Sequence, residues 1–201
     1  MGDAATTVLL VRHATHDRVD RVLCGRMPDV CLGPGGMADA RRLAERLAVE
    51  PIRAVHSSPL ERTRQTAEAL AERLDLPVRM APELLEIDFG DWTGRTFEEL
   101  ESDPAWRLWN AARSRARAPG GETMAEVQAR VVTYIESLRA RHAGECVVLV
   151  SHGDVLRAAL LHYLRMSIDD YHRLEISPAS VSAIVTWGGG AKVLAMNEVV
   201  R

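Results

Sequence analysis

Two unbroken apolar runs, each followed at once by a polar pair, constrain the fold of this chain more than any other feature. Val8–Val11 is followed by Arg-His, and Cys146–Val150 is followed by Ser-His. Short apolar runs without polar interruption are typical of strands buried on both faces of a parallel sheet. Ile52–His56 predicts a further strand of the same kind. The chain therefore needs helices on both sides of a sheet to cover these strands.

Helical patterns alternate with the strands. Met37–Leu47 has apolar residues at helical spacing, and Ser58-Pro59-Leu60-Glu61 resembles a capping box with Ser58 as the cap. A second capping box, Thr123–Glu126, precedes a long apolar stripe. The later elements, a helix and two strands, are predicted over 154–165, 181–187 and 193–196. Alternating strands and helices indicate an α/β fold, a three-layer sandwich with a mostly parallel central sheet and helices on both faces.

The length of 201 residues favours one domain over 1–201. Thr96–Glu99 and Asp103-Pro104 predict two short helices that interrupt the alternation, and Arg113–Gly121 is a basic, then Pro/Gly-rich stretch. We expect a small, mostly helical cap insertion at about 93–121.

The composition excludes several classes of protein. The net charge of −3 indicates neither a nucleic-acid-binding nor a membrane-surface protein. Three widely spaced cysteines without a CxxC pair argue against a disulfide framework or a thiolate zinc site. The longest apolar run is too short to span a bilayer, and the first residues lack a signal-peptide pattern, so a cytoplasmic protein is expected.

Polar side chains follow the predicted strands where a ligand of an open α/β sheet binds. Three polar pairs take these places: Arg12-His13, Ser57-Ser58 and Ser151-His152. Arg62 or Arg64 follows closely on the next helix, and a later loop adds Glu83 or Glu86. Motifs of serine hydrolases, nucleotide-binding loops and zinc proteases are absent from the sequence. Arginine beside histidine, with a carboxylic acid, fits phosphoryl transfer through a histidine nucleophile, with no metal or other cofactor.

Five segments together resemble the phosphoglycerate mutase-like branch of the histidine phosphatase superfamily. Val8–Thr15 resembles the strand and Arg-His-Gly motif of that family, and Val150–Gly153 its second histidine motif. Ser57–Ala67 resembles the arginine-bearing helix start of the family. Glu83–Gly94 resembles its acid loop, and Pro119–Thr123 resembles the start of its long helix. All five occur in the family's order, and they extend over nearly the whole chain.

The resemblance implies a role for each matching residue. His13 would be the nucleophile that carries the phosphohistidine, and Arg12, Arg62 and His152 would bind the phosphoryl oxygens. Glu86 would donate a proton to the leaving oxygen and later accept one from water; Glu83 and Asp88 are the alternatives for this acid.

The sequence departs from the family pattern just after the first histidine. Ala14 stands where the family has glycine, and Thr15 and His16 replace its usual Glu or Gln and Ser or Thr. Val19 replaces an asparagine that contacts phosphate in the family. We therefore expect this part of the phosphate pocket to be rebuilt, with Thr15, His16 or Arg18 as candidates to compensate.

The expected activity is that of a phosphatase, a metal-independent phosphomonoester hydrolase that acts on a small phosphorylated metabolite. A cofactor-dependent mutase of the phosphoglycerate type and a non-catalytic phosphate binder are the alternatives. In the mutases that this chain resembles, a longer insertion after the acid loop helps to cover the site. The stretch from Glu86 to Glu122 is too short for such an insertion. The late strands make a homodimer possible.

Residues outside these motifs are expected to be structural. Arg64 is expected at the surface, and His56 is interpreted as an ordinary surface or interface histidine. Trp106 and Trp109 are expected to pack inside the cap, with a substrate-facing wall as the alternative. Arg113 and the alternating arginines that follow it are expected in a solvated loop, with a cationic substrate rim as the alternative.

Overall fold

A six-stranded sheet forms the centre of the computed structural model, which describes residues 4–200. The strand order is β3-β2-β4-β1-β5-β6. The strands are β1 Thr6–Arg12, β2 Ile52–Ser57, β3 Val78–Met80, β4 Cys146–Ser151, β5 Ser180–Trp187 and β6 Gly190–Val199. The sequence analysis did not predict the three-residue β3.

The first four strands run parallel, β5 runs against them, and β6 runs in their direction again. β4 pairs in parallel with both β1 and β2, and β2 pairs in parallel with β3. β5 is antiparallel to β1, and β6 returns as a hairpin partner of β5. The carboxyl ends of β1, β2 and β4 therefore meet at one edge of the sheet.

Helices cover both faces of the sheet, which confirms the predicted sandwich. Leu9 and Val11 of β1 pack in one apolar core with the first two helices. Val8 and Leu10 point to the other face and pack in a second core with the later helices. The helices are α1 Pro34–Leu47, α2 Glu61–Leu74, α3 Phe97–Glu101, α4 Pro104–Ala111, α5 Met124–Arg141 and α6 Gly153–Tyr163, with short 3₁₀ turns at Pro82–Leu84, Gly90–Trp92 and Ile168–Arg173.

Three helix starts agree with their sequence signals. Thr123 and Glu126 form both hydrogen bonds of a capping box at α5, and Thr96 caps α3 in the same way. Asp103 caps α4 through its side chain, with Pro104 in the first turn. Local hydrogen bonds alone determine these starts, which is why the sequence predicts them well.

The predicted capping box at Ser58 is wrong. α2 begins at Glu61 with Leu60 as its N-cap, and no side chain caps it. The hydroxyl of Ser58 lies 2.9 Å from Nε2 of His152. The Ser58 hydroxyl therefore bonds a histidine that is distant in the sequence, and it accepts only a long contact of 3.5 Å from the backbone N–H of Leu60.

The segment between Thr93 and Gly121 contains α3 and α4 and is organised around aromatic rings. Trp109 is fully buried, and its ring lies edge-to-face with Phe89 and with Trp92. Trp106 also lies edge-to-face with Trp92, and its ring is 6.3 Å from that of Phe97. The rings join this segment to the main core, as the two tryptophans predict.

Two predictions about polar side chains outside the site are wrong. His56 is not at the surface: it is buried, and its Nδ1 lies 2.7 Å from the hydroxyl of Tyr134. Arg113 is also buried rather than solvated. Neighbours distant in sequence cover both side chains, and no local pattern reports them.

Part of the outer surface is apolar. Leu194 and Met196 are exposed on β6, which lies at the edge of the sheet. The homodimer that these late strands suggest stays a prediction. No helix within residues 4–200 combines the length and the apolar character that crossing a membrane requires.

Candidate active site

The candidate site lies where the carboxyl ends of β1, β2 and β4 meet. Arg12 pairs in register with Ser151, and Ser57 pairs with Val150. The backbone N–H of His13 donates to the carbonyl of Ser151. The parallel register therefore brings His13 and His152, which are far apart in the sequence, to the same edge, with ring centroids 5.3 Å apart.

His13 is held in one tautomer. The imidazole is 3 % exposed, and its Nδ1–H donates to the carbonyl of Ala14 over 2.8 Å. Nε2 is then the unprotonated nitrogen with a free lone pair. Burial and the cations of Arg62 and Arg12 hold the pKa of His13 well below its usual value. The ring is neutral at physiological pH, as a nucleophile must be.

The guanidinium groups of buried Arg62 and half-buried Arg12 lie beside His13 with part of their hydrogen-bonding capacity unused. Arg12 donates from Nη1 to the carbonyl of Ile176, and Arg62 donates from Nη2 to the carbonyl of Gly25. Nε of Arg12 and both Nε and Nη1 of Arg62 are buried without a partner. Buried unpaired donors of a permanent cation are costly, and an anion bound beside them would remove that cost.

His152 adds a fourth unpaired nitrogen. Its Nε2 is bonded to Ser58, whereas its Nδ1 is buried without a hydrogen-bond partner and lies 3.9 Å from a carboxylate oxygen of Glu86. Burial, Arg62 and His13 hold the pKa of His152 well below its usual value, so the ring is neutral and the 3.9 Å contact is no ion pair. When the Ser58 hydroxyl donates to Nε2, Nδ1 carries the hydrogen and can donate to an anion.

Of the three candidate acids in this loop, Glu86 reaches the cavity. Its Oε1 accepts the backbone N–H of Ile87 over 3.0 Å. Burial, reinforced by the charge of Asp154, raises the pKa of Glu86 to about 7 against the opposing cations of Arg62 and Arg12. A carboxyl group with this pKa can both give and take a proton near neutrality. Glu83 and Asp88, the alternatives, do not line the cavity.

The loop that carries Glu86 is fixed to the start of α5. Arg130 donates to the carbonyls of Glu83 and Glu86, and the carboxylate of Glu122 accepts the backbone N–H of Asp88. Gly90 has φ +51°, and a Cβ at this position would lie 2.0 Å from the carbonyl oxygen of Pro119. The close approach requires glycine and determines where the acid loop meets the Pro-Gly-Gly segment.

A cavity of about 130 Å³ opens in front of His13. His16, one of the residues that depart from the family pattern, also lines this cavity. It is buried, and its ring stacks on that of His13 at a centroid distance of 5.3 Å. The cavity is lined by Arg12, His13, His16, Val19, Asp20, Val22, Leu23, Cys24, Gly25, Arg62, Glu86, Phe89, Phe97 and Asp154. His152 is not part of this lining, although its Nδ1 lies 3.9 Å from Glu86, which is.

Several of these residues were not predicted from the sequence. His16 was one of three candidates to rebuild the phosphate pocket, and Cys24, Phe97 and Asp154 were given no role. The position of Asp154, two residues after His152, was an available signal because the first turn of that helix faces the site. Arg64 lies at the surface in an ion pair with Glu68, as expected.

No group of three or more potential ligands of a metal ion occurs among the histidine, cysteine and acidic side chains of residues 4–200. The donors that face the cavity from Arg12 and Arg62 are cationic and suit an anion instead.

The family follows from a sequence profile. The profile of the histidine phosphatase superfamily (branch 1) matches residues 8–199. The chain belongs to this superfamily.

Relatives of this histidine phosphatase include named phosphatases. Phosphoserine phosphatase 1 of Hydrogenobacter thermophilus is 34% identical over 179 residues, 88% of this chain and 85% of the relative. The adenosylcobalamin/alpha-ribazole phosphatase of Salmonella typhimurium is 30% identical over 192 residues, 94% of this chain and 95% of the relative.

Solved structures have the same fold. A mycobacterial glucosyl-3-phosphoglycerate phosphatase superposes with a TM-score of 0.87 at 27% identity, covering 96% of this chain and 99% of that chain. YhfR of Bacillus stearothermophilus superposes with a TM-score of 0.89 at 31% identity, covering 96% and 98%.

Proposed function

We propose that this chain is a metal-independent phosphomonoesterase that hydrolyses a small phosphorylated metabolite through a phosphohistidine on His13. The observation that carries the proposal is the set of buried, unpaired nitrogens of Arg12, Arg62 and His152 around a neutral histidine. A phosphoryl group offers the acceptors that these nitrogens lack, within reach of a nucleophile.

In the first half-reaction, Nε2 of His13 attacks phosphorus in line with the leaving oxygen. The P–N bond forms as the P–O bond breaks, while Arg12, Arg62 and His152 bind the equatorial oxygens. Glu86, protonated near neutrality, gives its proton to the leaving oxygen, and the alcohol departs. Contacts of this kind accelerate the reaction to the extent that they strengthen in the transition state.

In the second half-reaction, water attacks the phosphohistidine. Glu86, now a carboxylate, accepts a proton from that water as the P–N bond breaks. Inorganic phosphate leaves, and both His13 and Glu86 return to their starting states. A pKa of about 7 suits a group that is an acid in one step and a base in the next.

The class of substrate rests on the relatives. Their names specify phosphoserine, alpha-ribazole phosphate and glucosyl-3-phosphoglycerate phosphatases, all of which act on small phosphorylated compounds. In our proposal one domain spans 1–201, and the insertion at about 93–121 caps the site. Phe97 from this insertion lines the cavity in front of His13. The cytoplasmic location stays a prediction.

Hydrolysis of para-nitrophenyl phosphate, assayed with a chelator for the wild type and for His13→Ala, tests this function. We expect turnover in the wild type, at least a thousandfold less in the variant, and phosphate binding partly preserved by the two arginines. His162→Ala is the matched control, because that imidazole is exposed and remote from the cavity.

Rapid acid-free quenching and detection of phosphohistidine separates the alternatives. Phosphoenzyme that forms but resists water would indicate the mutase. Phosphate binding with neither phosphoenzyme nor turnover would indicate a binder. Normal turnover by His13→Ala would refute the mechanism.

A further inference from the structure

Arg113 connects the inserted segment to Asp154, a carboxylate that lines the candidate site. It follows α4, is 6 % exposed, and places its guanidinium 3.5 Å from the ring centroid of Tyr171. Nη1 lies 3.0 Å from Oδ2 of Asp154, close enough for an ion pair although the hydrogen-bond angle is poor. A buried arginine stacked on an aromatic ring and paired with one carboxylate is a fixed charge, unlike the surface arginines of the same loop.

Asp154 is the carboxylate that Arg113 reaches, and it borders the cavity in front of His13. Its Oδ1 accepts a hydrogen bond from Nη1 of Arg157, and Nε of Arg157 donates to the carbonyl of Leu174. Burial raises the pKa of Asp154, but the two arginines more than offset this effect and lower it to about 2. Asp154 is therefore an ionised carboxylate inside the site and does not itself take up protons during turnover.

We propose that Asp154, held ionised by Arg113 and Arg157, is a positioning residue that keeps Glu86 protonated at neutral pH, and that Arg113 thereby links the segment 93–121 to the catalytic acid. The inference rests on the proposed role of Glu86 as the acid. In this proposal Asp154 acts through Glu86.

The physical argument is a balance of charges around Glu86. Cations favour the carboxylate form, which cannot donate a proton to the leaving oxygen. A neighbouring negative charge and burial favour the protonated form. Charged or titratable groups surround Glu86: Arg12 of β1, Cys24, Arg62 of α2, His152, Asp154 of α6, and Arg26 and Arg130 at its carbonyl. His13, His16 and Asp20 line the same cavity of about 130 Å³ as Glu86 and Asp154. Asp154 is the carboxylate whose charge raises the pKa of Glu86 against these cations.

Two substitutions should therefore shift the pKa of Glu86 in opposite directions. Asp154→Asn removes the opposing negative charge, so Glu86 ionises at lower pH. Arg113→Met removes a cation that partly offsets the charge of Asp154, while Arg157 still holds Asp154 ionised, so Glu86 ionises at higher pH. A merely structural role for the pair predicts a loss of activity in both variants without opposite displacements.

The experiment is the pH dependence of kcat/KM for phenyl phosphate, whose poor leaving group needs the acid. We expect the alkaline limb of this pH profile to shift to lower pH by about one unit in Asp154→Asn and to higher pH in Arg113→Met. Para-nitrophenyl phosphate should respond less, because its leaving group needs less protonation. Arg115→Met is the matched control from the same loop, since that side chain is exposed. Substrate ionisation is common to all the proteins and cancels in the comparison.

Glu86→Gln separates the two levels of the proposal. If it keeps the wild-type alkaline limb, Glu86 is not the acid and the proposed function fails at that residue. If Glu86→Gln abolishes the alkaline limb of the kcat/KM profile, Glu86 is the acid. If a folded Asp154→Asn then leaves that limb at the wild-type pH, only the effect of Asp154 on Glu86 is overturned. Asp154→Asn retains the size and two hydrogen-bonding atoms of the side chain, so it tests the idea even if Arg113→Met does not fold.

Discussion

Arg62 combines a buried charge with unused hydrogen-bond donors, and replacing it by methionine tests the phosphate site quantitatively. Nε and Nη1 are both buried without a partner. Each hydrogen bond between such a donor and a charged phosphoryl oxygen contributes about 1.5–3 kcal/mol. Losing two would remove about 3–6 kcal/mol of transition-state stabilisation, which is a factor of roughly 10² to 10⁴ in kcat/KM.

The stability of Arg62→Met should respond differently from its activity. Without phosphate, the substitution removes one hydrogen bond to Gly25 but also two unsatisfied buried donors. We expect the free energy of unfolding to stay close to that of the wild type or to rise, because removing uncompensated buried charge is often neutral or stabilising. Added phosphate should raise the melting temperature of the wild type, since it binds the folded state, and should have little effect on the variant.

The assay pairs steady-state kinetics on para-nitrophenyl phosphate with thermal unfolding at several phosphate concentrations. Arg64→Met is the matched control: it lies two residues along α2 and is exposed in an ion pair with Glu68. A loss of less than tenfold in kcat/KM for Arg62→Met, with phosphate stabilisation intact, would refute the assignment of its free donors to the phosphoryl group.

Three further outcomes follow from the same geometry. Glu86→Gln should slow phenyl phosphate by a larger factor than para-nitrophenyl phosphate, measured as kcat, because only the poorer leaving group depends on the acid; equal slowing would contradict that role. The raised pKa of Glu86, about 7 against an ordinary 4.5, implies that stability from this group is present at acid pH and lost as pH rises through 7. In urea unfolding, Glu86→Gln should therefore gain stability relative to the wild type between pH 5 and 8, and a constant difference would argue against a buried acid. Ser58→Ala removes the partner of His152, so kcat/KM should fall by about tenfold, the value of one hydrogen bond, with unchanged folding by circular dichroism.

The sequence predicts those parts of the fold that depend on local pattern. The apolar runs of β1 and β4, the alternation of strands and helices and the capping box at Thr123 are each contained in a few consecutive residues. The capping box predicted at Ser58 failed because α2 begins only at Glu61, and the Ser58 hydroxyl bonds His152 in the site instead. A local pattern cannot show that a residue has a distant competitor.

For the candidate site, the sequence placed His13, Arg12, Arg62, His152 and Glu86 at or near strand ends, and the structure brings them together. They meet because parallel strands align their carboxyl ends, which makes proximity a consequence of strand order rather than of spacing along the chain. The catalytic roles of the five stay proposals.

The sequence by itself determined the strand and helix pattern, the family and the residue types available for phosphoryl chemistry, because each is contained in contiguous motifs. Tertiary structure decided which charges are buried and what faces them: the unpaired nitrogens of Arg62, the stacking of His16 on His13, and the pairing of Arg113 with Asp154. Burial and pairing depend on side chains from separate elements packed at one place, and they change the protonation of Glu86 without altering a single motif.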